Sequence, residues 1–269
     1  MRTIKLTLAY DGTRYVGWQR QAAGTSIQGL VEAALAEIDE GFVPVVGAGR
    51  TDAGVHALGQ VASFRLRHKM PLGTLVRALN ARLPDDVRAL AAEDAGPDFH
   101  ARYSATSKTY RYRLSAGAAG DPFGWRYVWQ VPTPLDQEAM QRSIGALVGR
   151  HDFASFQATG STVRTTVRTV VAVRLAEVPA GEGSPIPALG PRVPVLHLEI
   201  TADGFLRHMV RTIVGTVVEV GQGRRAPADL DEVLAARDRA RAGPTAPAQG
   251  LFLVGVEYGT QEPRRAAAP

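Results

Sequence analysis

Arg50 and Asp52 stand two positions apart in a glycine-rich stretch, from Gly47 to Ala57, where a charged pair could do chemistry. Three glycines among the eight residues from Gly47 to Gly54 let the backbone turn sharply and approach a ligand closely. Apolar and alternating runs flank the stretch, so we predict a loop between two strands, a common place for working side chains. An ordinary explanation stays open, because Thr-Asp-Ala-Gly is also favourable turn chemistry and Arg50 could be a surface ion-pair partner.

A second group of candidates lies between residues 99 and 113, where aromatic side chains alternate with Lys and Arg. The period-two pattern from Lys108 to Leu114 predicts a strand with Lys108, Tyr110 and Tyr112 on one face. Such a face suits base stacking combined with phosphate contacts. A half-buried strand with a solvated outer face explains the pattern equally well.

A helix is predicted from Phe205 to Val220, with Arg207 and Arg211 four positions apart beside a broad apolar face. Two arginines on an otherwise buried helix are either a solvated edge or a clamp for phosphate or carboxylate groups. The spacing alone favours the solvated edge.

The periodicity of the first part predicts the element order β-α-β-β-α-β, which is the ferredoxin-like arrangement. The predicted strands span residues 3–10, 43–46, 58–64 and 87–92; one helix follows the N-cap Ser26 and ends at Gly41, and another starts at Pro71. The second part also alternates strands and helices around a sheet. Its predicted strands span 108–114, 167–178, 195–201 and 251–258, and its helices 136–148, 205–220 and 227–241. We expect loops at 115–124 and 179–194, and a disordered tail at 261–269.

Composition narrows the function classes. The chain has 269 residues, a formal charge of +5 and no cysteine, which favours a polyanionic partner and excludes disulfides and thiolate chemistry. No apolar run is long enough to span a membrane, and the N-terminus lacks a signal peptide, so we expect a cytoplasmic protein. No paired histidine spacing, Walker loop or dinucleotide fingerprint occurs, so no metal or nucleotide cofactor is expected.

Nine short motifs, in order along the chain, resemble the tRNA pseudouridine synthase A family. They are Tyr10-Asp-Gly-Thr, Gly17-Trp-Gln, Ser26-Ile-Gln, Gly47-Ala-Gly-Arg-Thr-Asp-Ala-Gly-Val-His-Ala, Phe99-His-Ala-Arg, Lys108-Thr-Tyr, His151-Asp-Phe, Gly204-Phe-Leu-Arg-His-Met-Val-Arg and Gly250-Leu. The resemblance runs from about residue 3 to residue 258, and the central motif is highly specific. The loop at 179–194 looks longer than the connector usual in the family.

The resemblance implies a fold and a reaction. The fold would be the pseudouridine synthase fold, an α+β architecture in which two ferredoxin-like, RRM-like halves form a mixed, mainly antiparallel sheet flanked by helices, with an active-site cleft between them. We expect the halves at 1–104 and 105–260. The reaction would convert uridine to pseudouridine at positions 38, 39 and 40 in the anticodon arm of tRNA. The family acts as a homodimer and uses no metal and no organic cofactor.

The resemblance also implies residue roles. Asp52 would be the catalytic carboxylate; whether it attacks C1′, attacks the base or removes a sugar proton stays open. Arg211 would keep it charged inside a closed pocket, and Tyr110 would stack on the target base and assist proton transfer. Leu251 would pack below the base, and Arg50 would help to extrude the uridine from the stack. The remaining predicted tRNA-binding residues are Arg207, Lys108 and Arg102.

Two rival classes are an RNA-binding module without a reaction and a basic small-molecule α+β hydrolase. The Arg50–Asp52 loop argues against the first, because a buried carboxylate repels phosphate and has no use in simple binding. Binding of tRNA with a steep salt dependence would argue against the second.

Overall fold

The computed structural model describes residues 1–117, 122, 124–160, 163–178 and 194–259. This described part contains ten strands and five α-helices, so the predicted α+β class is confirmed. The strands are β1 (Arg2–Tyr10), β2 (Val46–Gly47), β3 (His56–Leu66), β4 (Val87–Ala95), β5 (Ser107–Ala116), β6 (Trp129–Val131), β7 (Gly149–Asp152), β8 (Val167–Val178), β9 (Val195–Ala202) and β10 (Leu251–Glu257). The helices are α1 (Ile27–Ile38), α2 (Leu72–Asn80), α3 (Gln137–Ile144), α4 (Met209–Gly221) and α5 (Asp229–Ala236).

The chain forms two compact units. The first comprises Met1–Lys108 together with the chain from Phe252 onward, and the second comprises Thr109–Leu251. The units therefore change over after Lys108, and the last strand joins the first unit although it is the C-terminal element.

The first unit has the predicted β-α-β-β-α-β order. Its sheet runs β4-β1-β3, with β2 and β10 also pairing with β3. Strand β1 is antiparallel to β3 and β4, and its last residue, Tyr10, lies opposite Ala57 at the start of β3. Strand β10 is parallel to β3, with Phe252 opposite His56. The register thus places the end of β1 beside the residues at which the glycine-rich loop ends and β3 begins.

Alternating burial builds the core of this unit. Ile4, Leu6 and Leu8 of β1 are fully buried, while the residues between them are partly exposed. Helix α1 starts after Ser26, whose hydroxyl accepts the Gly29 N–H at 3.2 Å, as the sequence predicts. Helix α1 buries an apolar face that includes Ile27, Val31 and Leu35, and helix α2 buries Leu75 and Leu79. Burial of each such side chain contributes about 1.5–3 kcal/mol.

The second unit orders its strands β5-β9-β8-β7, with β6 parallel to β5. Eleven of the thirteen residues of α4 are buried, which makes this helix the centre of the unit's core. At Gly215 a Cβ would lie 1.8 Å from the Pro244 carbonyl oxygen, so only glycine lets the segment around Pro244 lie against the helix.

Four predicted helices are longer than the observed ones. The helix predicted from Phe205 begins at Met209, because His208 adopts a left-handed backbone (φ 62°). The helix predicted at 227–241 ends at Ala236, because Arg237 is left-handed (φ 51°). The helix predicted at 136–148 ends at Ile144 and continues as a 3-10 turn, Gly145–Leu147. Helix α1 ends at Ile38 rather than at Gly41.

The remaining differences concern strands and loops. Of the strand predicted at 43–46 only Val46 pairs, and the Val45 N–H binds Glu32 Oε1 (3.1 Å) instead of a neighbouring strand. Strands β6 and β7 are absent from the prediction. Most of the predicted loop at 179–194, part of that at 115–124 and the predicted tail at 261–269 lie outside the described residues.

Candidate active site

The glycine-rich loop closes as a tight turn around Asp52. The Val55 N–H donates to the Asp52 carbonyl at 3.1 Å, and Gly54 has the positive φ of 76° that this turn requires. The turn chemistry read from Thr-Asp-Ala-Gly is therefore present. It leaves the side chain of Asp52 half-buried, between the buried Thr51 and the exposed Ala53.

The side chains of Tyr10 and Gln60 and the backbone N–H of Trp18 hold the loop in place. The Tyr10 hydroxyl lies 2.8 Å from Thr51 Oγ1, and burial raises the pKa of Tyr10, so that it stays a neutral phenol. Gln60 Nε2 donates to the Gly49 carbonyl at 2.8 Å. The Trp18 N–H donates to the Thr51 carbonyl at 3.0 Å. The backbone on both sides of Arg50 is thereby fixed.

Two glycines allow the close approach between the loop and the segment around Trp18. A Cβ on Gly17 would lie 2.4 Å from the Thr51 carbonyl oxygen, and one on Gly47 would lie 2.4 Å from the Trp18 indole. Both distances are far below an ordinary contact, so neither position has room for a side chain. The segments 17–19 and 47–57 can therefore pack against each other only with glycine at these two positions.

His56, the residue at which the loop enters β3, is also buried. Its Nδ1 lies 3.0 Å from the Gly12 backbone nitrogen and 3.1 Å from Asp11 Oδ1, and its ring stacks on Phe252 with the centroids 4.7 Å apart. The sequence reasoning assigned no role to Tyr10, Trp18, Gln60 or His56. Tyr10, Trp18 and His56 lie in motifs that the sequence analysis singled out. Their roles could not be read from the sequence because their contacts join elements far apart in the chain.

Arg50 and Arg102 are the exposed cations of the first unit among the predicted site residues. Arg50 follows the fixed Gly49 in the loop. Arg102 belongs to a turn at residues 100–104, in which Ser104 N–H donates to the His100 carbonyl at 2.9 Å. Ala101 of that turn packs in one apolar cluster with Ala48 of the loop and Val61.

Strand β5 presents the predicted face. Lys108, Tyr110 and Tyr112 are buried at alternate positions, whereas Arg111 faces the other way and pairs with Glu199 Oε1 at 2.6 Å. The predicted alternation is confirmed. The Tyr110 ring meets Phe205 edge-on, with centroids 4.9 Å apart, which fixes the plane of the tyrosine.

Arg211 is half-buried on α4 and is positioned by one segment of the second unit. Its Nε donates to the Ala246 carbonyl at 2.7 Å, and the Ala246 N–H donates back to the Arg211 carbonyl at 3.0 Å. Burial raises the pKa of Tyr112, and the cation of Arg211 opposes that shift, which places the guanidinium within electrostatic reach of the phenol.

The two predicted helix arginines are not equivalent. Arg207 is exposed and precedes α4, and its carbonyl accepts the Ala158 N–H at 2.9 Å. The predicted stripe of Arg207 and Arg211 on one helix is therefore wrong, since the left-handed His208 separates them. Leu251 is buried at the start of β10.

The predicted site residues thus fall into two groups. Arg50, Asp52, Arg102 and Lys108 belong to the first unit, and the others belong to the second: Tyr110, Arg207, Arg211 and Leu251. Within the described ranges no group of three or more His, Cys, Asp or Glu side chains could hold a metal ion. None of the helices in those ranges is long and apolar enough to cross a membrane.

Comparison with known proteins gives consistent matches over nearly the whole chain. Residues 7–104 and 144–259 match the family described as tRNA pseudouridine synthase. A protein named tRNA pseudouridine synthase A from Moorella thermoacetica is 46% identical over 260 residues, covering 96% of this chain and all of that protein. Proteins of the same name from Syntrophotalea carbinolica and Myxococcus xanthus are 44% and 43% identical, over 97% and 98% of this chain and 98% and 95% of their own length.

Proposed function

Because the chain belongs to the tRNA pseudouridine synthase family, whose members are isomerases acting on tRNA, we propose that it forms pseudouridine in the anticodon stem-loop, at positions 38, 39 and 40. In this reaction the bond between uridine N1 and C1′ breaks and a bond between C5 and C1′ forms. The proton on C5 leaves, and N1 gains one. The atoms balance without an oxidant or a reductant.

Asp52 is the proposed catalytic carboxylate and nucleophile. The observation that carries this assignment is the loop itself, because Asp52 is its one acidic residue and the backbone around it is fixed by Tyr10, Trp18 and Gln60. Detaching a base without losing it needs a carboxylate held beside the sugar. Attack at C1′, attack on the base and removal of a sugar proton all stay open as the step that this carboxylate performs.

Arg211 and Tyr110 are the proposed supporting residues of the reaction. Arg211 is the cation that keeps the carboxylate ionised, and its bond to the Ala246 carbonyl supports this role by fixing the direction of a long side chain. Tyr110 stacks on the target base and assists proton transfer; its edge-on contact with Phe205 supplies a preset ring plane. Leu251 packs below the base.

The remaining assignments concern tRNA binding. Arg50, Arg102 and Arg207 are exposed, as phosphate-binding arginines must be, whereas Lys108 is buried and would reach only a nucleotide drawn inward. We assign Arg50 the extrusion of the uridine, since a stacked base must leave the helix before it reacts. We further propose that the enzyme is a cytoplasmic homodimer that needs no metal and no organic cofactor.

The test is release of tritium from tRNA labelled at uridine C5. The purified protein, with no added cofactor, is incubated with an unmodified transcript, and we expect tritium to pass into water as C5 bonds to C1′. A second transcript, labelled only in the anticodon arm, tests whether the reaction takes place there. Binding of the tRNA without tritium release would indicate an RNA-binding protein and contradict the proposal. Sedimentation at micromolar concentration tests the dimer separately.

A further inference from the structure

The turn at residues 100–104, hereafter the aromatic turn, is stabilised by hydrogen bonds between its first and last residues. His100 N–H donates to Ser104 Oγ at 3.1 Å, and Ser104 N–H donates back to the His100 carbonyl at 2.9 Å. His100 Nδ1 accepts the backbone N–H groups of Arg102 and Tyr103, both at 3.2 Å. Burial and the nearby Arg102 cation lower the pKa of His100, in keeping with its role as an acceptor.

This closed turn carries an exposed aromatic ring. Tyr103 is 56% exposed, and its ring stacks on the His100 imidazole with centroids 4.3 Å apart and planes 27° apart. Arg102 Cζ lies 5.7 Å from the centre of the same ring. An aromatic surface beside a cation is the combination that binds unstacked bases. The base stacks on the aromatic ring, and the cation contacts a phosphate of the nucleic-acid backbone.

The charge of Arg102 is available to a ligand. Within the described ranges no carboxylate pairs with its guanidinium, whose neighbour is the Tyr103 ring. The first unit contains a second exposed aromatic with an arginine over it, Phe42 with Arg20, at 5.9 Å. There the arginine is paired with Glu32 at 3.4 Å, so the cation is already neutralised. The two sites therefore differ in whether the arginine has a carboxylate partner, and phosphate binding requires an arginine without one.

The aromatic turn is also tied to the loop that carries Asp52. Ala101 is fully buried against Ala48, two residues before Arg50, and its N–H donates to Ser63 Oγ at 3.0 Å. Its carbonyl accepts the Tyr258 hydroxyl at 2.8 Å. These contacts lie within one unit, so the ring of Tyr103 and the loop belong to the same compact part of the molecule.

We propose that Tyr103, backed by His100 and flanked by Arg102, is a stacking site for an unpaired base of the tRNA close to the uridine that reacts. The inference rests on the proposed function and adds a nucleotide subsite to it. The base is read by its π-face, so the subsite discriminates little between sequences and instead favours an arm whose neighbouring nucleotide can leave the stack.

Equilibrium binding of a full-length, fluorescently labelled unmodified tRNA tests the site. Replacing Tyr103 by alanine should raise the Kd by about 5- to 150-fold, the loss expected for one stacked base. Tyr103→Phe keeps the ring and should stay within about threefold of the wild type. Phe42→Ala, the matched exposed aromatic, should leave the Kd unchanged. Arg102→Gln should lower the salt slope of log K by about one.

Transcripts with a single abasic nucleotide, moved one position at a time around the target, identify the stacked base. At one abasic position Tyr103→Ala should no longer raise the Kd, because the base that stacks on the ring is already missing from the transcript. Equal weakening by Tyr103→Ala and Phe42→Ala, an unchanged Kd, or a penalty that persists at every abasic position would overturn the inference. Tritium release measured in parallel separates this outcome from failure of the proposed function, which would abolish release in the wild type itself.

Discussion

Replacing Gly17 by alanine is expected to displace the loop that carries Asp52. The added Cβ would lie 2.4 Å from the Thr51 carbonyl oxygen and 3.0 Å from the Asp52 carbonyl carbon. Both atoms belong to the loop backbone, so no side-chain rotation relieves the contact. The Trp18 N–H that binds Thr51 sits on the next residue, so the hydrogen bond that anchors the loop is strained at the same time.

The magnitude follows from the geometry. An ordinary contact begins near 3.4 Å, so the Thr51 carbonyl must retreat by about 1 Å from its 2.4 Å position. A shift of about 1 Å in a catalytic group costs roughly 100-fold in rate. The backbone of Gly17, at φ 106°, adds strain of about 1–2 kcal/mol once a Cβ is present. We therefore expect a modest loss of stability and a large loss of kcat.

Single-turnover tritium release and thermal unfolding separate the two effects. Gly223→Ala is the matched control, because Gly223 also has a positive φ (70°) but a Cβ there meets nothing within 4 Å. Gly17→Ala should lose more stability than Gly223→Ala because its Cβ also meets the loop backbone, and at a temperature where both variants are folded only Gly17→Ala should lose turnover. If Gly17→Ala retains kcat within about twofold of the control, the loop position does not govern catalysis and the reasoning fails.

Three further predictions concern single side chains. Arg50→Ala should slow reaction on a paired uridine more than on an unpaired one, because only the paired base must be extruded; equal slowing in single-turnover assays on paired and mismatched arms would refute this role. Arg211→Met should lower single-turnover tritium release by about tenfold or more while the Kd for tRNA changes less, because the proposed role of this cation lies in the reaction; an equal loss in both measurements would contradict it. Burial, helped by Arg111 and Arg113, lowers the pKa of His197 to about 4, so the unfolded chain protonates first as the pH falls below about 6.5. Urea unfolding should show about 1–2 kcal/mol lost between pH 7 and pH 4, allowing for the partial exposure of His197, and His197→Gln should flatten that slope; an equal slope in the variant would count against it.

Most elements of the first unit as far as β4 could be predicted from sequence because their local signals agree. Alternation in β1, the Ser26 cap and the leucine spacing of α2 each specify one element without help from distant residues. The start of α4 could not be predicted in this way. The apolar periodicity continues back to Phe205, but the left-handed His208 ends it, and no local signal reveals that conformation for a histidine.

The loop that carries Asp52 was predictable to a similar extent. Glycine spacing located the Asp52 loop, since few sequences place three glycines around a charged pair. The side chains that hold the loop could not be assigned from sequence, because the Tyr10–Thr51 and Gln60–Gly49 hydrogen bonds depend on the register between strands. Family resemblance supplied residue roles, but the environment of each residue came from the fold.

The most direct test of the account compares Asp52→Asn with the wild type on one tRNA. The substitution keeps the size and shape of the side chain, replaces one carboxylate oxygen by an amide NH2 and removes the charge. Single-turnover tritium release and tRNA binding are measured on the same protein preparation. The account predicts that release falls below detection while the Kd stays within about threefold, because the carboxylate acts on the sugar or base and not on phosphates. Measurable release by a stringently purified Asp52→Asn protein would remove Asp52 from the mechanism.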